Sequence, residues 1–282
     1  MSPNFDVSIN SNNFCIGVSG VLDGGPIPVD FSMDSYKWLL PNGTTATGED
    51  ANYTFTAAGD YEVSLIGKSG ECTAGRTSTI NVKELPEAGF DITGYCVNSP
   101  TTFTDQSSGD GLSIDHRSWD LGNGEQYEDL LSLTTTYTST GNYPVSLEVT
   151  DSRGCKKTTT ESLLLNPLPL AAFSPQLPYC VGDEIQFNNQ SYSAGGFSGF
   201  QWNMGDGTTY TDFNATHTFS GSGDQYVQLI AIDEWLCRDT SYKTVFVTPD
   251  FDIDFSTSGL CNGLPSQLSG EVVSATINPD SW

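Results

Sequence analysis

Positive charge is scarce in this chain. Ten Lys and Arg stand against thirty-five Asp and Glu in 282 residues, a net charge of −25. A surface of that sign repels nucleic acid and anionic membrane, which excludes nucleic acid as a partner. Long apolar runs are missing too. None approaches the ~20 residues of a spanning helix, so no membrane insertion is expected. The opening MSPNFDVSIN has neither a basic region nor an apolar core, and no signal peptide is expected in it. Only two histidines occur, His116 and His217, at different places relative to the repeats described next. No fixed serine or carboxylate partner for either is evident in the sequence. There is no G-x-S-x-G elbow, no phosphate loop and no H-E-x-x-H. A non-enzyme is expected, with no organic cofactor.

What is present is repetition. The stretch TGNYPVSLEVTDSRGCKKTT, from Thr140, has counterparts in AGDYEVSLIGKSGECTAGRT from Ala58 and SGDQYVQLIAIDEWLCRDTS from Ser222. Each ends near a cysteine. The seven cysteines lie at 15, 72, 96, 155, 180, 237 and 261, and Trp38, Trp119, Trp202 and Trp282 keep the same beat of about 82 residues. Three complete repeats over 1–86, 87–168 and 169–249 are expected, with the beginning of a fourth over 250–282. Consecutive pairing of the cysteines gives Cys15–Cys72, Cys96–Cys155 and Cys180–Cys237, one bond inside each repeat, with Cys261 left over. Three matched pairs imply an oxidising compartment, hence an extracellular or cell-surface location. No C-x-x-C clustering supports a zinc reading.

Each repeat reads as β. Tyr143, Val145, Leu147 and Val149 alternate with polar neighbours, and Tyr61, Val63, Leu65 and Val227, Leu229, Ala231 do the same. A period of two marks a half-buried strand. In the third repeat the alignment puts Gln225, not Tyr226, at the first inward position. About seven short strands per repeat, with frequent turns, indicate an all-β tandem array of immunoglobulin-like sandwiches. The joints KELPEAGF, NPLPLAAF and TPDFDIDF are short and proline-bearing, which predicts a semi-rigid array.

WDLGNGEQY at Trp119 and WNMGDGTTY at Trp202 resemble the W-D-F-G-D-G signature of PKD domains, and the G-x-Y-x-V-x-L-x-V-x-D stretch fits the same pattern. The first repeat departs most, with WLLPNG from Trp38. The resemblance implies a PKD-type sandwich throughout. Cysteine-bearing PKD arrays of this kind are similar to those in large bacterial surface proteins, including gliding-motility adhesins exported by the type IX route. The resemblance therefore implies a non-catalytic adhesin stalk, with the accessory region of a secreted polysaccharide- or protein-degrading hydrolase as the alternative. Its partners would be neighbouring PKD repeats of the same chain, and a surface polysaccharide or protein.

Two sets of side chains are candidate sites. Asp120, Asn123, Asn203 and Asp206 sit in the Trp turns, where short polar side chains cap the backbone. They are also oxygen ligands of the type calcium takes, and related PKD-like domains sometimes bind it. Trp235, Phe197 and Phe200 are candidates for a recognition surface, since aromatic faces stack on sugars and anchor protein contacts. Partial burial against neighbouring loops is the competing reading for all three.

Overall fold

The computed structural model describes residues 5–11, 14–109, 111–177, 179–249, 252–258 and 267–274. Cys261 and Trp282 lie outside them. Contacts divide the chain into two compact units, residues 1–93, 101–135 and 142–163, and residues 94–100, 136–141 and 164–282.

The first unit holds one complete sandwich and most of a second. The first sandwich comprises β1 (Asp6–Ser11), β2 (Ser19–Ile27), β3 (Ser35–Leu39), β4 (Thr45–Thr47), β5 (Ala51–Thr54), β6 (Gly59–Ser69) and β7 (Cys72–Val82). A three-stranded sheet β1-β2-β5 faces a four-stranded sheet β4-β3-β6-β7. The second uses β8 (Phe90–Thr93), β9 (Pro100–Asp105), β10 (Ile114–Asp120), β11 (Gln126–Glu128), β12 (Ser132–Thr136), β13 (Gly141–Asp151) and β14 (Lys156–Leu165), in sheets β8-β9-β12 and β11-β10-β13-β14. The second unit holds the third sandwich: β15 (Phe173–Pro175), β16 (Glu184–Asn189), β17 (Phe197–Asn203), β18 (Thr209–Tyr210), β19 (Ala215–Thr218), β20 (Gly223–Asp233) and β21 (Arg238–Val247). Its sheets are β15-β16-β19 and β18-β17-β20-β21. The same unit contains the hairpin of β22 (Asp252–Ser258) and β23 (Gln267–Ser274).

The alternation predicts the inward faces. Val63, Leu65, Val145, Leu147, Val149, Val227, Leu229 and Ala231 are all buried, while Tyr226, one place off the inward positions, is exposed. Trp38, Trp119 and Trp202 centre the three cores. Each indole N–H donates to a backbone carbonyl further along the chain, at Glu49 (3.2 Å), Leu130 (2.9 Å) and Asp212 (3.0 Å). That bond satisfies the one polar atom a buried tryptophan brings with it. Phe90 and Phe173 meet the second and third indoles edge-on at 5.3 and 5.2 Å.

The tandem sandwiches agree with the sequence reading; the expected disulfides do not. None of Cys15–Cys72, Cys96–Cys155 and Cys180–Cys237 forms. Cys15 is bonded to Cys155 and Cys96 to Cys237, while Cys72 and Cys180 are free. The reason is the length of the last strand. Cys96 makes a parallel bridge with Asn166, just past the end of β14, whereas Cys155 immediately precedes its start. Ten residues at ~3.3 Å each hold the two cysteines at opposite ends of the sandwich, about 30 Å apart, and a disulfide needs α-carbons within about 7 Å. Cys15 opposite Lys83 and Cys180 opposite Thr248 are placed in the same way.

Candidate functional site: cystines at the joints

Two cysteine positions recur. A leading cysteine (Cys15, Cys96 or Cys180) precedes the second strand of each sandwich, and a hairpin cysteine (Cys72, Cys155 or Cys237) follows the turn after the long strand. Each observed bond runs from the leading cysteine of one sandwich to the hairpin cysteine of the next, over 140 and 141 residues of chain. The α-carbons are 5.5 and 5.7 Å apart, inside the ordinary range. The joint, not the core, is where the covalent chemistry of this chain resides.

The two bonded hairpin cysteines, Cys155 and Cys237, are each held by a buried aspartate. Asp151 Oδ1 accepts the N–H groups of Arg153 (2.9 Å) and Cys155 (3.0 Å). Its Oδ2 accepts Nε and Nη2 of Arg153 at 3.2 and 2.6 Å. Burial would raise this carboxyl's pKa, but the Arg153 and Cys155 hydrogen bonds outweigh it and hold the pKa below the usual range. Arg153 Nη2 also donates to the Glu84 carbonyl at 2.7 Å, tying the second sandwich to the segment that leaves the first. Asp233 repeats half of this arrangement. Its Oδ1 accepts the N–H groups of Trp235 and Cys237, both at 2.9 Å. Trp235 stands where Arg153 would, so Asp233 Oδ2 is buried without a hydrogen-bond partner among the described residues. The hairpin D-x-x-x-C was legible as a turn, but its role in presenting the sulfur was not.

The four candidate calcium ligands all cap turns. Asp120 Oδ1 accepts Gly122 N–H, Asn123 Oδ1 accepts Glu125 N–H, Asn203 Oδ1 accepts Gly205 N–H and Asp206 Oδ1 accepts Thr208 N–H, each at 2.9 Å. The Gly122 N–H, followed by the Gln126 amide, lowers the pKa of Asp120. Gly122 itself sits at φ +70°, and a Cβ there would lie 2.7 Å from the Pro144 carbonyl, which is why the signature spells glycine. The first repeat keeps half of the turn, with Asn42 Oδ1 accepting Thr44 N–H at 3.0 Å. Among the described residues, no three His, Cys, Asp or Glu converge as a metal site.

Histidine 217 has the fixed partners that the sequence did not reveal. Its Nε2 lies 2.8 Å from Asp206 Oδ2 and its Nδ1 3.1 Å from the Tyr210 hydroxyl. The ring is buried edge-on against Phe219 at 4.5 Å. Burial would raise the Asp206 pKa; hydrogen bonds from Thr208 and His217 reverse that and lower it. This chain of groups pins β18 and β19 to the Trp turn. The second sandwich fills the same place with Tyr127, Glu125 and Thr135, without any histidine. His116 is exposed beside Glu128 and Asp129.

The aromatic candidates form one neighbourhood on the third sandwich. Phe197 and Phe200 lie 4.8 Å apart on β17, and Phe213 meets Phe200 at 5.3 Å. Phe200 is 8% exposed and belongs to the core; Phe213, which the sequence reading did not select, is exposed. Trp235 is 40% exposed, and its ring covers Gly195 so closely that a Cβ there would come within 2.5 Å.

A PKD-domain family profile matches residues 81–164 and again 166–247. Pre-pro-metalloprotease PrtV of Vibrio cholerae is 31% identical over 137 residues, which is 46% of this chain and 14% of that protein. Among solved structures, the PKD1 domain of the same metalloprotease is 28% identical, covering 29% of this chain and 96% of its own, with a TM-score of 0.27. The PKD1 domain of Vibrio anguillarum Epp is likewise 28% identical, covering 29% and 93%, with a TM-score of 0.27. Three N-terminal domains of the bacteriophage RB49 outer capsid protein Hoc cover 86% of this chain and 95% of their own at 14% identity and a TM-score of 0.40.

Proposed function

From the premise that this chain belongs to the PKD-domain family, we propose that it is a non-catalytic accessory region of a secreted hydrolase. It is a braced spacer that holds a catalytic domain near a polymeric substrate such as chitin or collagen. The observation that carries this reading is the pair of cystines, both of which cross a joint between sandwiches. A spacer functions through the geometry of its joints, and a covalent tie across each one limits their freedom. Cystines also require an oxidising compartment, which supports an extracellular location. The relationship to part of a metalloprotease favours the hydrolase as the parent.

The second reading is a stalk of a bacterial surface adhesin, of which gliding-motility proteins are one class. It is favoured by uninterrupted repetition: three sandwiches succeed one another, and a further β-hairpin follows. One experiment separates the two. The oxidised segment is fused to a collagenolytic catalytic domain, and hydrolysis of insoluble collagen is compared with that of a soluble peptide. An accessory region raises the insoluble rate several-fold and leaves the soluble rate unchanged. Equal ratios with and without the segment would overturn the accessory reading and leave the stalk. The segment alone is expected to hydrolyse neither substrate.

A further inference from the structure

The two free cysteines occupy the same positions as the four bonded ones. Cys180 is a leading cysteine, and its backbone frame matches those of Cys15 and Cys96 bond for bond. Asp183 N–H donates to the Cys180 carbonyl (3.2 Å), as Val18 does to Cys15 (3.2 Å) and Ser99 to Cys96 (3.3 Å). Gly182 N–H donates to Phe219 (3.1 Å), as Gly17 does to Phe55 and Asn98 to Tyr137, both at 2.8 Å. All three leading cysteines make a parallel bridge to the residue after the last strand. Cys180 is therefore already folded into the form that bonds. The hairpin side provides an independent observation. Cys155 and Cys237, which have a partner, are 0% and 1% exposed, whereas Cys72, which has none, is exposed. Burial of a hairpin cysteine coincides with a neighbouring sandwich covering it.

We propose that Cys72 and Cys180 are unfilled positions of one covalent ladder. Each is a docking point for an adjoining PKD repeat: Cys180 takes the hairpin cysteine of a following repeat, and Cys72 takes the leading cysteine of a preceding one. The ladder rule is that every bond joins a sandwich to its successor and none closes within a sandwich. Bond formation removes one proton from each of two thiols and transfers two electrons to a disulfide oxidant, such as oxidised glutathione, which leaves as two thiols. The two positions differ in one respect. The first hairpin is one residue shorter and has Ser69, paired with Cys72, where the others have Asp151 and Asp233, so Cys72 lacks the carboxylate that organises Cys155 and Cys237.

The test lengthens the chain at each end separately. In one protein a second copy of residues 169–249 replaces residues 250–282; in the other a copy of residues 5–86 is placed ahead of the first repeat. Both are folded with oxidised and reduced glutathione and digested without reduction. The expected peptides link Cys180 to the copied Cys237, and the copied Cys15 to the original Cys72. A thiol at Cys180 that still reacts with maleimide in the folded, lengthened protein would overturn the proposal, as would a bond between Cys72 and Cys180. The unlengthened chain supplies a second measurement that depends on no new domain. Under native conditions maleimide should label Cys72 and Cys180 and spare Cys15, Cys96, Cys155 and Cys237. Recovery of a Cys15–Cys72 or Cys180–Cys237 peptide from it would overturn the ladder rule itself.

Discussion

A single carboxylate behind each of the two bonded hairpin sulfurs decides how firmly that sulfur is presented, and the two carboxylates are unequally satisfied. Asp151 is paired with the half-buried Arg153 and accepts two backbone N–H groups. Asp233 accepts the same two kinds of N–H but leaves one buried oxygen without a partner. Asp151→Asn should therefore destabilise the second sandwich by about 3 kcal/mol, because it strands a desolvated guanidinium. Asp233→Asn should cost less than about 1 kcal/mol or stabilise, because the retained oxygen still accepts both N–H groups. Urea denaturation of the two variants measures the contrast, and equal losses would contradict it. The sign of the acid response follows from Asp151 and two other hydrogen-bonded carboxylates. Asp105, Asp151 and Asp206 have pKa values lowered by folding, so the stability they contribute is present above their unfolded value near ~3.9. It is lost as pH falls through the lowered folded values. Neutral to mildly acidic buffers should leave the melting temperature nearly flat, with the decline confined to below about pH 4.

At the scale of strands and turns, the cysteines connect elements that no local pattern associates. The period-two alternation and the Trp turns with their glycines are local signals, and both were legible. The outward position of Tyr226 was legible for the same reason. The cystine partners were not, because equal spacings of 57 to 59 residues suit a bond inside each repeat as well as one between repeats. What decides is the ten- or eleven-residue last strand, which carries its two ends too far apart to be bridged. The partners of His217 were not legible for a related reason: Tyr210 and the Asp206 turn belong to the opposite sheet and meet the histidine across the sandwich. Non-reducing peptide mapping should recover Cys15 with Cys155 and Cys96 with Cys237. Replacing Cys96 and Cys237 together by serine should leave the circular dichroism spectrum unchanged. It should lower the free energy of unfolding the second and third sandwiches together by up to about 5 kcal/mol, the chain-entropy value for a loop of some 140 residues. An unchanged free energy would mean that the joint is not under covalent control.

For the whole molecule the consequence is mechanical and depends on connectivity alone. Tension applied between Cys15 and Cys237 in the reduced chain can draw out all of the roughly 222 residues between them, about 750 Å at full extension. With both bonds intact a shorter covalent path exists. It crosses from Cys15 to Cys155, runs back along the second sandwich to Cys96, and crosses again to Cys237. That path holds only about 59 residues, so extension stops near 200 Å. The direct chain from Cys155 to Cys237 is longer and stays slack, which leaves the third sandwich outside the load path and puts the second inside it. Single-molecule force spectroscopy with handles beside Cys15 and Cys237 should therefore record one unfolding event, that of the second sandwich, under oxidising conditions. After reduction all three sandwiches should contribute, with a total contour length close to four times greater. Equal contour lengths in the two conditions would show that the cystines do not join successive sandwiches. A braced spacer and an adhesin stalk would both exploit this limit, since a module under shear keeps its end-to-end distance only if its extensible path is short.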